Sequence, residues 1–186
     1  MLFRLDPLFR EAIAPWRTPT VRAVMEWVTT FGEGWLLGVG ALAMALIAHR
    51  VGRSDLVRAG LVAVPAMIAS GLFSRVIKIL TARPRPSAAA GALDSWWPSL
   101  DAAYNSFPSG HATSAFTLAA ILAVAAPSGR WWFYVVAGVI AFSRVAVDAH
   151  FVSDVVAGGL LGWATGRIAL AVADRRWPVR EGPGRA

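Results

Sequence analysis

Pro108-Ser109-Gly110-His111, followed by the apolar run ATSAFTLAAILAVAA (112–126), is the stretch from which the fold can be worked out. It is typical of a helix start, because Ser109 can cap the first turn and Gly110 lets the backbone approach a ligand closely. Unpaired N–H groups and the positive end of the helix dipole make such a first turn an anion site. His111 is placed to donate a proton to an oxygen bound there, so we expect phosphate chemistry at the start of an apolar helix.

The composition indicates a membrane protein. The chain has 186 residues, of which 56% are hydrophobic, and its mean hydropathy is +0.55. This is too apolar for an ordinary soluble domain, and several runs approach the roughly 20 residues that cross a bilayer. We expect one all-α, membrane-embedded domain over residues 1–186, a bundle of about five transmembrane helices with an N-terminal amphipathic helix in the membrane interface.

The charged and metal-binding residue types narrow the function. The net charge is +7, and seventeen of the eighteen basic residues are Arg. Many of them flank apolar runs, which favours a role in topology and lipid-headgroup contact over nucleic-acid binding. The chain has no Cys, and its three His are not spaced as a ligand cluster, so we expect neither a metal site nor another cofactor.

Three segments lie outside the expected spans. Residues 1–31 predict two short interfacial or partly inserted helices, the first opened by Asp6-Pro7, a cap followed by proline. Residues 84–107 predict an extracytoplasmic loop, in which Trp96-Trp97 is either an interface anchor or a lid over a lipid. Residues 175–186 predict a flexible tail.

The last predicted span carries a row of small residues. Gly158, Gly162 and Gly166 recur at intervals of four, a spacing that lets two membrane helices pack closely. Asp154 falls on the same row, so we expect its side chain to face the interior of the bundle.

The distribution of Arg predicts the orientation. With five spans, the basic turns at Arg50–Arg53 and Arg130 and the Arg-rich tail lie on one side, which the positive-inside tendency makes cytoplasmic. The remaining helix ends, with their polar residues, then face the extracytoplasmic side of the cytoplasmic (inner) membrane.

Three clusters separated in sequence meet at that side: Lys78 with Arg85-Pro86, then Pro108-Ser109-Gly110-His111, then Ser143-Arg144 with His150 and Asp154. In their order and spacing they resemble the signature motifs of the type 2 phosphatidic-acid phosphatase and vanadium haloperoxidase superfamily. The flanking spans resemble its membrane lipid phosphatase branch. The resemblance covers Lys78 to Asp154.

The residue types fit phosphoryl transfer, in which catalysis consists mainly of positioning and charge stabilisation. Lys78, Arg85 and Arg144 can surround the phosphoryl oxygens, and Ser109 with the N–H groups of Gly110 and His111 adds neutral donors. The alternative for Arg85 and Arg144 is snorkelling to lipid headgroups. Outside the motifs, we interpret Arg83 as structural or as a secondary phosphate contact, and we assign no role to Asp148.

The resemblance implies that His150 is the nucleophile that forms a phosphohistidine and that His111 is the general acid. Asp154 is spaced to accept a proton from His150 and fix its tautomer. The alternative is a His–Asp pair that serves stability alone.

We therefore expect a metal-independent lipid phosphatase that acts on undecaprenyl pyrophosphate or a related polyprenyl phosphate. Phosphatidylglycerophosphate, phosphatidic acid and lipid A are further candidate substrates. Two different functions stay open as well: a vanadium-dependent haloperoxidase-like enzyme, and a non-catalytic phospholipid-binding or transport protein. The expected partners are the phosphorylated lipid and the bilayer, not nucleic acid, and the oligomeric state is left open.

Overall fold

The computed structural model describes residues 4–88 and 98–176. Within these ranges the chain is helical and has no strand, which confirms the predicted all-α class. The Trp96-Trp97 pair and residues 177–186 of the predicted tail lie outside the described residues. The helices are α1 (Asp6–Ile13), α2 (Pro19–Thr30), α3 (Gly34–Arg50), α4 (Ser54–Thr81), α5 (Gly110–Ala125), α6 (Arg130–Ala146) and α7 (Val152–Arg176).

Helix α5 is the centre of the bundle and packs against α3, α4, α6 and α7. The backbones of α5 and α7 lie against each other at the glycines of α7. A Cβ built at Gly162 would lie 2.2 Å from the carbonyl oxygen of Thr113, and one at Gly158 would lie 2.5 Å from that of Ser109. The predicted close packing of the glycine row is confirmed, and it brings the start of α7 against the start of α5.

The bundle has small residues inside and large apolar residues outside. Ala63, Ala112 and Ala120 are fully buried, whereas Leu46 and Leu72 on the outer faces are each 63% exposed. This pattern is typical of helices that pack through small residues and present large side chains to lipid. The exposed apolar surface therefore faces a bilayer.

The predicted number of five spans is not confirmed. Two helices, α4 and α7, are long and apolar enough to cross a membrane, and α2 with α3 makes a third candidate, bent by 53° at the break between them. Helices α5 and α6 have 16 and 17 residues. At 1.5 Å per residue they reach about 24 to 26 Å, less than the roughly 30 Å of a hydrocarbon core.

The N-terminal helix α1 forms as predicted, but the expected role of Asp6 as its cap is wrong. The cap position is Leu5, and Asp6 is the first helical residue, 2% exposed. Its carboxylate turns inward because the backbone N–H and hydroxyl of Ser153 and the guanidinium of Arg83 offer it donors. Helix α1 is thus attached to the start of α7 by a buried carboxylate.

A second contact attaches the same segment to the α6–α7 loop. Asp148 accepts from Arg10 at 2.7 Å and lies 3.0 Å from a guanidinium nitrogen of Arg17. Asp148, to which the sequence assigned no role, therefore anchors the N-terminal segment beside the loop that carries His150.

Candidate active site

The loop between α6 and α7 holds His150 against Asp154, as their spacing predicts. Nδ1 of His150 lies 3.6 Å from Oδ2 of Asp154, and the two residues are 3% and 0% exposed. Ser106 bridges them, because its hydroxyl donates to Oδ2 of Asp154 at 2.5 Å and lies 3.5 Å from Nδ1 of His150. With Nδ1 facing this pair, the other ring nitrogen, Nε2, points away from it.

Burial lowers the pKa of His150 to about 4. The contact with Asp154 works in the opposite direction, and the nearby positive charges of Lys78 and Arg144 lower the pKa further. The imidazole is therefore neutral near pH 7, which is the form with a lone pair on one ring nitrogen.

Both carboxylate oxygens of Asp154 are engaged. Oδ2 accepts from Ser106 and from the backbone N–H of Phe151 at 2.9 Å. Oδ1 accepts from the guanidinium of Arg83, which also donates to Asp6 at 2.6 Å and to the hydroxyl of Ser153 at 2.7 Å. Arg83, interpreted from the sequence as structural or as a phosphate contact, is a direct partner of Asp154.

The cationic residues of the first motif are placed by the segment that leads into α5. The ammonium group of Lys78 donates to the carbonyl of Asn105 at 2.8 Å. Arg85 is held through its backbone N–H and its Nε, which donate to the carbonyls of Ala103 and Ala102 at 2.8 and 3.0 Å. This segment therefore fixes both cations beside the start of α5.

Arg144 reaches the site from the last turn of α6. Its guanidinium donates to the hydroxyl of Thr29 on α2 at 2.6 Å. It lies within electrostatic range of Arg85, which in turn is within range of Lys78. The structure thus brings the three predicted cations together, at a cost in mutual repulsion that an anion between them would relieve.

Helix α5 begins at Gly110, as predicted, with Ser109 at the cap position. The predicted cap bond is absent, since the Ser109 side chain accepts no helix N–H, while its backbone N–H donates to the carbonyl of Asp154 at 3.0 Å. A Cβ built on Gly110 would meet nothing within 4 Å. Open space therefore lies over the first turn of α5.

Three buried polar atoms of the site have no hydrogen-bond partner within residues 4–88 and 98–176: Oγ of Ser109, Nε2 of His111 and Nε of Arg144. An unsatisfied buried polar group costs on the order of 1–3 kcal/mol, so it is retained where it has another use. Each of these atoms can donate to an oxyanion. Ser109 and His111 lie at the start of α5, and Arg144 at the end of α6 lies within electrostatic range of His111. A tetrahedral phosphate between them would satisfy all three atoms.

The break between α2 and α3 packs on the ring of His111. Nε2 of His111 lies 3.3 Å from a carboxylate oxygen of Glu33, without hydrogen-bond geometry. A Cβ on Gly32 would lie 2.8 Å from the same ring. Neither the contact of Glu33 with His111 nor that of Thr29, in the last turn of α2, with Arg144 is predicted by the sequence pattern.

Comparison with known proteins places the chain in a family. The family model described as the PAP2 superfamily matches residues 59–178, and the chain belongs to this superfamily. It is similar to decaprenylphosphoryl-5-phosphoribose phosphatase of Mycobacterium tuberculosis, with 33% identity over 166 residues, 88% of this chain and 86% of the relative. It is also similar to lipid A 1-phosphatase of Rhizobium etli, with 37% identity over 98 residues, 52% of this chain and 42% of that protein.

Two solved structures share the fold. LpxE of Aquifex aeolicus has a TM-score of 0.64 and 22% identity, over 90% of this chain and 95% of that one. The transmembrane PAP2-type phosphatidylglycerolphosphate phosphatase of Bacillus subtilis has a TM-score of 0.65 and 24% identity, over 95% and 88%. These structures confirm the fold. The family match and the Mycobacterium tuberculosis relative make the chain a membrane lipid phosphatase of the PAP2 type, a phosphoric monoester hydrolase.

Proposed function

We propose that the chain removes phosphate from a polyprenyl-linked lipid at the extracytoplasmic face of the inner membrane, through a phosphohistidine on His150. The observation that carries this proposal is the buried, neutral imidazole of His150. Its Nδ1 faces Ser106 and Asp154, and the site around it holds donors without partners on Ser109, His111 and Arg144.

In the first step, Nε2 of His150 attacks phosphorus and the bond between phosphorus and the leaving oxygen breaks. His111, protonated, gives its proton to that oxygen. A phosphate monoester therefore loses its lipid part with a free hydroxyl group, and a pyrophosphate loses it as the lipid monophosphate. Lys78, Arg85 and Arg144 balance the charge on the remaining phosphoryl oxygens, and Asp154 balances the positive charge that develops on the imidazole ring of His150.

In the second step, water attacks the phosphorus of the phosphohistidine. His111, now neutral, takes a proton from the water, and the phosphorus–nitrogen bond breaks to return His150 to its neutral form. Inorganic phosphate is released. The side-chain cations supply the positive charge that metal ions supply in other phosphoryl-transfer enzymes, so the scheme needs no metal.

The substrate proposal has two parts. The Mycobacterium tuberculosis relative, matched over most of both chains, favours a phosphate monoester on a polyprenyl-linked headgroup, so decaprenylphosphoryl-5-phosphoribose is the first lipid to test. Undecaprenyl pyrophosphate has a similar tail and is the second. Lipid A 1-phosphate is a separate candidate, favoured by the match to the Rhizobium etli protein over about half of this chain.

The experiment is a phosphate-release panel with the purified protein in detergent micelles, with and without excess EDTA. The panel holds decaprenylphosphoryl-5-phosphoribose, undecaprenyl pyrophosphate, lipid A 1-phosphate, phosphatidylglycerophosphate and phosphatidic acid. We expect hydrolysis of a polyprenyl-linked lipid, unaffected by EDTA and abolished by His150→Ala. His49→Ala, at the far end of α3, is the matched control and should be fully active.

Three results would contradict the proposal. Full activity of the folded His150→Ala protein would exclude His150 as the nucleophile. Strict dependence on a divalent cation would exclude the metal-free scheme. Peroxide-driven bromide oxidation with added vanadate, in the absence of phosphate release, would favour a haloperoxidase-like enzyme instead.

A further inference from the structure

The start of the chain contributes a carboxylate to the network that holds Asp154. Arg83 donates to Asp6 at 2.6 Å through one terminal nitrogen and to Asp154 through the other. Asp6 and Asp154 are 2% and 0% exposed, and the Arg83 side chain is 17% exposed. One guanidinium therefore lies between two buried carboxylates, of which one faces His150.

The charge of this network depends on Asp6. Asp154 with Arg83 alone is a neutral pair, whereas Asp6, Arg83 and Asp154 together carry a net charge of −1. In a buried site, where solvent screening is weak, this difference acts directly on the neighbouring imidazole. Nucleophilic attack gives the ring of His150 a positive charge, and a neutral Arg83–Asp154 pair would stabilise that charge poorly.

Asp6 is not needed simply to attach α1. The same segment is held a second time by Arg10 and Arg17, which both contact Asp148 in the α6–α7 loop. Asp6 also accepts from the backbone N–H of Ser153 at 3.0 Å, one residue before Asp154. Asp6 therefore contacts both Arg83 and the backbone next to Asp154.

We propose that Asp6 is a positioning residue for phosphoryl transfer. By sharing Arg83 with Asp154, Asp6 leaves Asp154 the negative charge and the orientation that His150 requires. The inference rests on the proposed nucleophilic role of His150. Asp6 itself touches neither the substrate nor the reacting atoms.

The test compares kcat and KM of purified variants with decaprenylphosphoryl-5-phosphoribose, undecaprenyl pyrophosphate and dioleoyl phosphatidic acid. Each kcat is divided by the folded fraction from size-exclusion chromatography. Asp6→Asn keeps the shape and removes the charge. We expect its kcat to fall about 10- to 100-fold, the range typical of losing a group that orients a functional histidine or carboxylate without touching the substrate. KM should stay nearly constant, because the phosphate contacts belong to other residues.

Two further variants separate charge from structure. Asp6→Glu retains the charge and should recover most of the lost kcat. The double variant Asp6→Asn/Arg83→Gln returns the local charge to −1 and should exceed Asp6→Asn in kcat, a non-additivity expected of groups in one network. Glu11→Gln, an exposed carboxylate on the same helix, is the control and should match the wild type.

A wild-type kcat in folded Asp6→Asn would overturn the inference and leave the proposed function standing. Equal losses in Asp6→Asn, Asp6→Glu and the double variant would also overturn it, since they would indicate a structural contact only. If Asp6→Asn does not fold, the other two variants decide. Recovery of kcat in both Asp6→Glu and the double variant would support the inference, and equally large losses in both would overturn it. A wild type that hydrolyses no lipid of the phosphate-release panel and carries no phosphate on His150 would contradict the proposed function and this inference together.

Discussion

Replacing Asp154 by Asn changes one atom and tests the pairing on which the mechanism depends. Each oxygen of Asp154 accepts from a donor, Oδ1 from Arg83 and Oδ2 from Ser106 and the N–H of Phe151. Asn has one acceptor oxygen and one NH2 group. In either orientation of the amide, NH2 therefore points at a donor, and the negative charge beside His150 is lost.

The size of the effect follows from the tautomer. With NH2 beside Nδ1, the ring of His150 is stabilised with its proton on Nε2, the nitrogen that must attack. In a catalytic His–Asp pair the wrong tautomer lowers kcat by up to about 10⁴. We expect a loss of about 10³ to 10⁴ in Asp154→Asn, which corresponds to roughly 4 to 5.5 kcal/mol of transition-state stabilisation.

The assay is steady-state phosphate release from the lipid that the panel identifies, with the folded fraction measured in the same micelles. Asp174→Asn is the matched control, since it makes the same change at the other end of α7, where Asp174 pairs with Arg58. This control should keep the wild-type kcat. Folded Asp154→Asn that retains more than a tenth of the wild-type kcat would refute the proposed pairing.

Three other predictions concern pH, packing and orientation. Because burial lowers the pKa of His150 to about 4 and the neutral ring attacks, the acid limb of the kcat/KM profile should lie near pH 4. An acid limb near the ordinary value of about 6.5 would contradict this. Gly162→Ala places a Cβ 2.2 Å from a backbone oxygen of α5, and it should lower the free energy of unfolding by about 1–3 kcal/mol. Gly138→Ala, whose added Cβ would meet nothing within 4 Å, should leave the free energy of unfolding unchanged. Equal effects of the two substitutions in a denaturant titration would refute the packing argument. In this cysteine-free chain, an impermeant thiol reagent should label Ser87→Cys in intact cells and Ser128→Cys only after permeabilisation, and the reverse pattern would contradict the proposed orientation.

The sequence predicted the features that depend on local spacing. The start of α5 at Gly110, the glycine row of α7 and the placement of Asp154 beside His150 all follow from short intervals along one helix or loop. Such intervals fix which side chains share a face before any tertiary structure is known.

The contacts that the sequence did not predict join distant segments. Asp6 bonds to Arg83 across 77 positions, and Glu33 contacts His111 from the break between α2 and α3. Among seventeen Arg and eleven acidic residues, many such pairings are equally consistent with the sequence, and no periodicity marks the right one. The predicted number of five spans is not confirmed, because apolar composition does not reveal that α5 and α6 stop at 16 and 17 residues.

Chemical trapping of the intermediate on His150 tests the account most directly. The protein is mixed with a substrate labelled with ³²P in the scissile phosphate, quenched in alkaline detergent within one turnover and digested for peptide mapping. We expect an acid-labile, alkali-stable label on the peptide that contains His150, present in the wild type and missing from His150→Ala. Rapid turnover by the wild type with no label on this peptide, or with the label on His111, would contradict the central role of His150.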